Sequence, residues 1–275
     1  MTTLYLSPHL DDVALSCAGG LLHARARGER VIVATVFTEG RGQAARRRED
    51  IAALRSIGAE PLHLGFLDAP DRLHLKPGFA SLVLEPEVEL ALVSTISRQL
   101  RALLANVRPA RICFPLGVGG HIDHRTLFEC AARVAATAEA NGVALRFYEE
   151  RPYSFVPALR VLRLLELRGG RRRASPDSID AELGRIPLLN SFPGRAARAD
   201  CLAQLAQRLS TAHPRRMRLC ARMQSFQPTV LEAAAQLIAR YQTQRTALFG
   251  DRSIQSLYAE HSLDRRGRFI ERTFT

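Results

Sequence analysis

His9, Asp11 and Asp12 stand close together near the start of the chain, and His121, Asp123 and His124 form a similar group more than a hundred residues later. His9, Asp12 and His124 would supply two imidazoles and a carboxylate. That set suits a catalytic zinc which keeps one position open for water. Asp11, next to a proposed ligand, sits where a general base for that water belongs. Helix capping, a common duty for aspartate at a helix start, would explain one of the two adjacent carboxylates. It would not explain a histidine just before them, or a second histidine pair far along the chain. His121 and His124, three residues apart, share a face if they open a helix, in ligand or catalytic roles. Gly119-Gly120 lets the backbone come close to a ligand there.

The elements that must position these groups can be read from the apolar pattern. Thr3 to Ser7 is a short apolar strand, and Val13, Leu15, Ala18, Leu21 and Leu22 then recur at helical spacing up to a stop at Gly28. Val31 to Phe37 is β-branched and nearly continuous, as in a parallel strand covered on both faces. A helix over 45–57, a strand over 62–66, a helix over about 87–106 and a strand over 111–115 follow. The loop Leu116 to Gly120, a helix over about 124–141 and a strand over 143–148 complete the alternation. Such alternation predicts an α/β fold with a doubly wound, mostly parallel sheet. Both histidine groups then lie beyond the carboxyl ends of strands, where such sheets bind ligands. After about Arg151 the alternation stops. Leu159 to Leu167 reads as either strand or helix, and 196–209, about 214–223 and 231–248 read as helices. Residues 1–155 are therefore expected to form the core. Residues 156–275 are expected to be a mainly helical extension packing on it within the same domain.

Composition narrows the class of protein. The chain has 275 residues, 47% hydrophobic and 24% charged, ordinary values for a globular protein with a sizeable core. No apolar run approaches the roughly 18 residues of a membrane span, and no basic, apolar and cleavage-site succession marks a signal peptide. Five cysteines without a C-x-x-C pair read as reduced, buried thiols, and the expected location is cytoplasmic. The net charge of +12 comes almost wholly from arginine, Lys76 being the one lysine. The runs 46–48 and 171–173 carry no interleaved aromatics, so the charge points to nonspecific adsorption to polyanions and not to dedicated nucleic-acid binding. His23, His63, His74, His213 and His261 read as structural or solvent-facing.

His9-Leu10-Asp11-Asp12 and His121-Ile122-Asp123-His124 resemble the two motifs of the zinc-dependent de-N-acetylases that act on N-acetylglucosaminyl phosphatidylinositol and related amino sugars, the LmbE-like or PIG-L-like family. The resemblance covers roughly residues 1–155. It implies a Rossmann-like three-layer sandwich with a mononuclear site, frequently in a homo-oligomer. It also implies His9, Asp12 and His124 as metal ligands and Asp11 as general base. His121 would be an imidazolium that steadies the oxyanion and helps protonate the leaving amine, with Asp123 placed to orient it. Arg46, which with Glu49 resembles the family's R-x-x-E, and Asp68 would contact sugar hydroxyls. Two positions depart from the pattern: Leu10 stands where many members have proline, and Gly119 where some carry a tyrosine that polarises the carbonyl. The expected activity is removal of an N-acetyl group from an amino-sugar-containing small molecule through a zinc-bound water, with iron as an alternative metal. The alternatives are an amidase for a larger acyl group or a thiol conjugate and, more distantly, a non-enzymatic anion-binding module.

Overall fold

A computed structural model of the chain describes residues 1–74, 87–190, 192, 194–212 and 214–275; Lys76 and His213 lie outside the described residues. The first half alternates as the apolar pattern requires. The elements are β1 (Thr2–Ser7), α1 (Asp12–Ala26), β2 (Arg30–Glu39), α2 (Gln43–Ser56), β3 (Glu60–Leu67), the one-turn α3 (Ala69–Arg72), α4 (Leu90–Val107), β4 (Arg111–Pro115), α5 (Ile122–Ala140) and β5 (Ala144–Tyr148). The second half holds α6 (Pro157–Arg168), α7 (Pro176–Leu183), α8 (Arg195–Thr211), β6 (Ala221–Phe226), α9 (Pro228–Ile238), α10 (Gln242–Phe249), α11 (Ile254–Ser262) and β7 (Phe269–Phe274).

Seven strands form one sheet in the order β3-β2-β1-β4-β5-β7-β6. β1 to β5 are parallel, while β7 runs antiparallel to β5 and β6 antiparallel to β7. β2 is buried from Val31 to Thr38, which explains its unbroken apolar run. Right-handed crossovers place α1 and α2 on one face of the sheet and α4 and α5 on the other. α4 packs against α5, and α1 packs against α9, giving the three-layer sandwich. The strand order reverses between β1 and β4. Their carboxyl ends therefore diverge into separate loops, which leaves a crevice at that switch point.

The extension departs from the sequence reading in two respects. The first is that 231–248, read as helical, is the two helices α9 and α10 broken at 239–241. Residues 214–223, read as helical, are an irregular segment at 214–220 that runs into strand β6, and β7 closes the sheet beyond it. β6 is an edge strand exposed over five of its six residues, so it has no apolar alternation to reveal it. Leu159 to Leu167 is helical, with Leu159, Leu162 and Leu167 turned inward. Four cysteines are buried free thiols as expected, but Cys220 is exposed. No helix among the described residues is long and apolar enough to cross a membrane.

Candidate metal centre

His9, Asp11 and Asp12 follow β1 directly, and His121 to His124 open α5 after the β4 loop, so the switch point brings both groups together. Asp11 is the residue before the first turn of α1, yet its side chain makes no capping hydrogen bond. The Ser7 hydroxyl takes that duty, accepting the Val13 N–H at 3.2 Å. Both aspartates are thereby released from helix capping. The Asp12 carboxylate accepts the His9 backbone N–H at 2.8 Å through Oδ2. The same oxygen lies 3.1 Å from His9 Nδ1 and 3.3 Å from His124 Nε2. His124 Nε2 is buried and makes no hydrogen bond.

These separations are those of hydrogen-bonded ion pairs, and they are also short enough for ligands sharing an ion. Zinc bonds of about 2.0–2.2 Å at tetrahedral angles set neighbouring ligand atoms about 3.4 Å apart. The outer nitrogens of both imidazoles meet carboxylates: His9 Nε2 lies 3.1 Å from Asp123 Oδ2, and His124 Nδ1 3.2 Å from Glu150 Oε1. This is the usual surrounding of metal-bound histidine. Burial alone would depress the basicity of both rings, but the carboxylates overcome it. Asp68 and then Asp12 and Asp123 raise His9 well above its ordinary value, and Asp12 and Glu150 raise His124 to about 9. Asp12 is held well below the usual carboxylate range, the two histidines outweighing the cost of its burial. The carboxylates of the cluster thus favour positive charge on both buried rings, which protons supply in the absence of a cation. A divalent cation fits there, displacing them.

The neighbouring groups are placed as follows. Asp11 is buried, and burial pushes it up to about 6 against the pull of Arg46, whose Nη2 lies 3.2 Å from Asp11 Oδ1. Arg46 is therefore drawn in from the first turn of α2 as the partner of Asp11. Glu49, its companion in R-x-x-E, instead caps α10 by accepting the Thr243 N–H and hydroxyl. Asp68, at the end of β3, accepts a hydrogen bond from the Gln43 side chain at 2.7 Å through Oδ2, while Oδ1 stands 3.4 Å from His9 Nε2. Oδ1 is buried without a hydrogen bond, open to a donor.

Two expected roles change. Asp123 does not turn its carboxylate to His121. It holds His9, the Ala69 N–H at 3.0 Å and Arg72 Nη2 at 2.7 Å, and only its backbone N–H meets His121, donating to Nδ1 at 3.2 Å. Because His121 Nδ1 accepts that bond, the ring proton resides on Nε2. Burial and the positive charge of His9 also lower the His121 pKa to about 3. His121 is thus a neutral donor through Nε2–H, and the imidazolium expected from the resemblance is not what this surrounding favours. At Gly119 the backbone has φ +88°, and a Cβ would overlap the Tyr153 ring, which stacks edge-on to His124 at 5.5 Å. The aromatic group beside the site therefore comes from the segment after β5. Glu150, Arg72 and Gln43 were not marked by the sequence reading. The only signal for Glu150 was its position just beyond β5, whose end faces the crevice.

A mostly parallel α/β sheet with histidines and carboxylates gathered at its switch point defines a Rossmann-like fold with a candidate metal centre. Residues 4–135 match the model of the PIG-L: GlcNAc-PI de-N-acetylase family. The chain is 33% identical over 169 residues to 2'-N-acetylparomamine deacetylase of Streptomyces fradiae, an alignment covering 55% of this chain and 57% of that protein. The chain thus spans a little over half the length of this curated relative. In fold it is similar to a deacetylase of the teicoplanin biosynthesis pathway, with a TM-score of 0.67, 21% identity, and 100% of this chain and 97% of that one covered. It is also similar to the A40926 pseudoaglycone deacetylase, with a TM-score of 0.65, 22% identity, and 99% and 95% covered.

Proposed function

We propose that this chain is a metal-dependent deacetylase that hydrolyses the N-acetyl group of an amino-sugar-containing small molecule. The observation that carries this reading is that Asp12 Oδ2 stands 3.1 Å from His9 Nδ1 and 3.3 Å from His124 Nε2, while His9, His121 and His124 can each bring a ring nitrogen within 4.8 Å of the others, with the buried Asp11 next in the chain. The 2'-N-acetylparomamine deacetylase relative supports the substrate class. His9, Asp12 and His124 would hold the cation, zinc being the expected metal and iron an alternative for the same donor set. When bound, a divalent cation lowers the pKa of water and polarises a carbonyl.

The chain's own groups then divide the work of amide hydrolysis. Asp11 accepts a proton from the attacking water as the new C–O bond forms. His121 donates through Nε2–H to the developing oxyanion, a contribution of about 3 kcal/mol for a well-placed donor. As the C–N bond breaks, the proton held on Asp11 passes to the leaving nitrogen, giving free amine and acetate. Arg46 keeps Asp11 ionised before attack, and Asp68 Oδ1 faces His9 Nε2 at 3.4 Å. The pairing of β7 with β5 supports reading residues 1–155 and 156–275 as one domain.

The test is acetate release from N-acetylated aminoglycoside fragments such as 2'-N-acetylparomamine, with Asp11→Asn beside the parent protein. Turnover by the parent and a loss of about 100-fold or more in the variant, with metal retained, is expected. Equal turnover by the two proteins would remove Asp11 as the base. Faster release of longer acyl groups than of acetyl would move the activity to a broader amidase.

A further inference from the structure

Glu149 and Glu150 are adjacent acidic residues just past β5, and they face opposite ways. Glu149 turns to Arg160, with Oε1 2.6 Å from Nε, and to Arg272. Glu150 turns inward and is wholly buried. Its Oε1 accepts the Gly117 N–H at 2.6 Å and its Oε2 the Val118 N–H at 3.1 Å. Oε1 also lies 3.2 Å from His124 Nδ1. Gly117 has φ +87°, a conformation that a side chain disfavours and that here directs two successive N–H groups at one carboxylate. Glu150 therefore joins the end of β5, the loop after β4 and the first turn of α5.

We propose that Glu150 is the positioning residue that fixes the tautomer and direction of His124, binding its Nδ1–H so that the Nε2 lone pair faces the point shared with His9 Nδ1 and Asp12 Oδ2. An ionised carboxylate only accepts, so the nitrogen it meets must carry the proton. Once a cation displaces the second ring proton, the imidazole keeps its proton on Nδ1 and presents its lone pair on the other nitrogen. His124 Nε2, buried without a hydrogen bond, is the nitrogen so directed. The two backbone donors hold the carboxylate in place independently of the histidine. The carboxylate, and with it the direction of the ring, is therefore set before any ligand arrives. This inference rests on the reading of His9, Asp12 and His124 as metal ligands.

The experiment is a zinc titration in competition with a chromophoric chelator, on the metal-free parent protein, Glu150→Gln and Glu150→Ala, with thermal unfolding of each metal-free form. Gln keeps the shape and one acceptor but not the charge, and wherever its NH2 stands it opposes a donor of the loop or of His124, so it carries the test if Ala does not fold. Loss of an orienting partner typically weakens metal binding about 10–100-fold, and that loss is expected in Gln even where its unfolding midpoint matches the parent's. Parent-like zinc affinity in Gln would overturn the proposal, leaving Glu150 a support for the loop alone. A parent protein that binds no zinc would overturn the metal reading itself, and this inference with it. Ring-nitrogen NMR of the zinc-loaded parent supplies a second readout. His124 is expected to carry its proton on Nδ1 and zinc on Nε2, and coordination through Nδ1 would overturn the proposal.

Discussion

Asp11 is the residue on which the proposed chemistry turns, and its basicity is set by two opposed influences. Burial lifts its pKa to about 6, while the Arg46 guanidinium pulls it down. Replacing Arg46 with methionine removes the downward pull, so Asp11 takes up its proton at higher pH. The acid limb of kcat/KM, along which the base is lost by protonation, should then move upward. Arg46→Met is expected to lose activity several-fold near about pH 6 and little near about pH 8. An unmoved limb would show that Arg46 does not govern the base. The proposed ligands and base were legible in the sequence because histidines and aspartates at two strand ends have few other reasons to occur together. The duties of Asp123, His121 and Glu150 were not. The direction of the Asp123 carboxylate is decided by the Ala69 N–H and Arg72, which the turn after β3 brings to it. The burial of Glu150, whose position just beyond β5 places it near the crevice without showing which way it turns, depends on the β4 loop folding over it.

At the scale of elements, α1 carries the aspartates and is not continuous. Its backbone leaves helical geometry at Cys17, with φ −129° and ψ 20°, so the turn after it needs new partners for its N–H groups. Glu271 of β7 provides them, accepting from Gly19 at 2.6 Å and Gly20 at 2.8 Å. The turn before the break is held from the same side: the Tyr258 hydroxyl donates to the Leu15 carbonyl at 2.7 Å, and the Arg151 N–H to the Ser16 hydroxyl at 3.0 Å. Glu271→Ala would orphan both amides, and each buried unsatisfied donor costs about 1–3 kcal/mol. Denaturant unfolding is expected to show a loss of about 2–4 kcal/mol. A loss below about 0.5 kcal/mol, the range of an ordinary surface substitution, would mean that the break in α1 is satisfied in another way. The sequence showed α1 but not its break, because the apolar spacing runs through Cys17 undisturbed. β7 escaped notice because its inward-facing positions include this glutamate, which interrupts the apolar pattern of Phe269, Ile270 and Phe274.

At the scale of the whole molecule, the doubly wound half was legible because each parallel strand must be apolar on both faces, and each crossover must be helical and long. The place of the site followed from strand order: β1 and β4 are neighbours with diverging loops, and both motifs lie in those loops. The antiparallel closure by β6 and β7 depends on pairings far apart in sequence, such as Tyr148 with Thr273, that no local pattern announces. The net charge of +12 is spread over arginines, many of which hold structural carboxylates, as Arg160 does Glu149 and Arg198 does Asp180. The most direct test of the site is the metal content of the purified protein, by elemental analysis after zinc reconstitution and removal of excess, with His124→Ala beside it. One equivalent in the parent and loss of it in the variant is the expected result. No metal in the parent, or one equivalent in both proteins, would contradict the assignment of His9, Asp12 and His124 as the ligands.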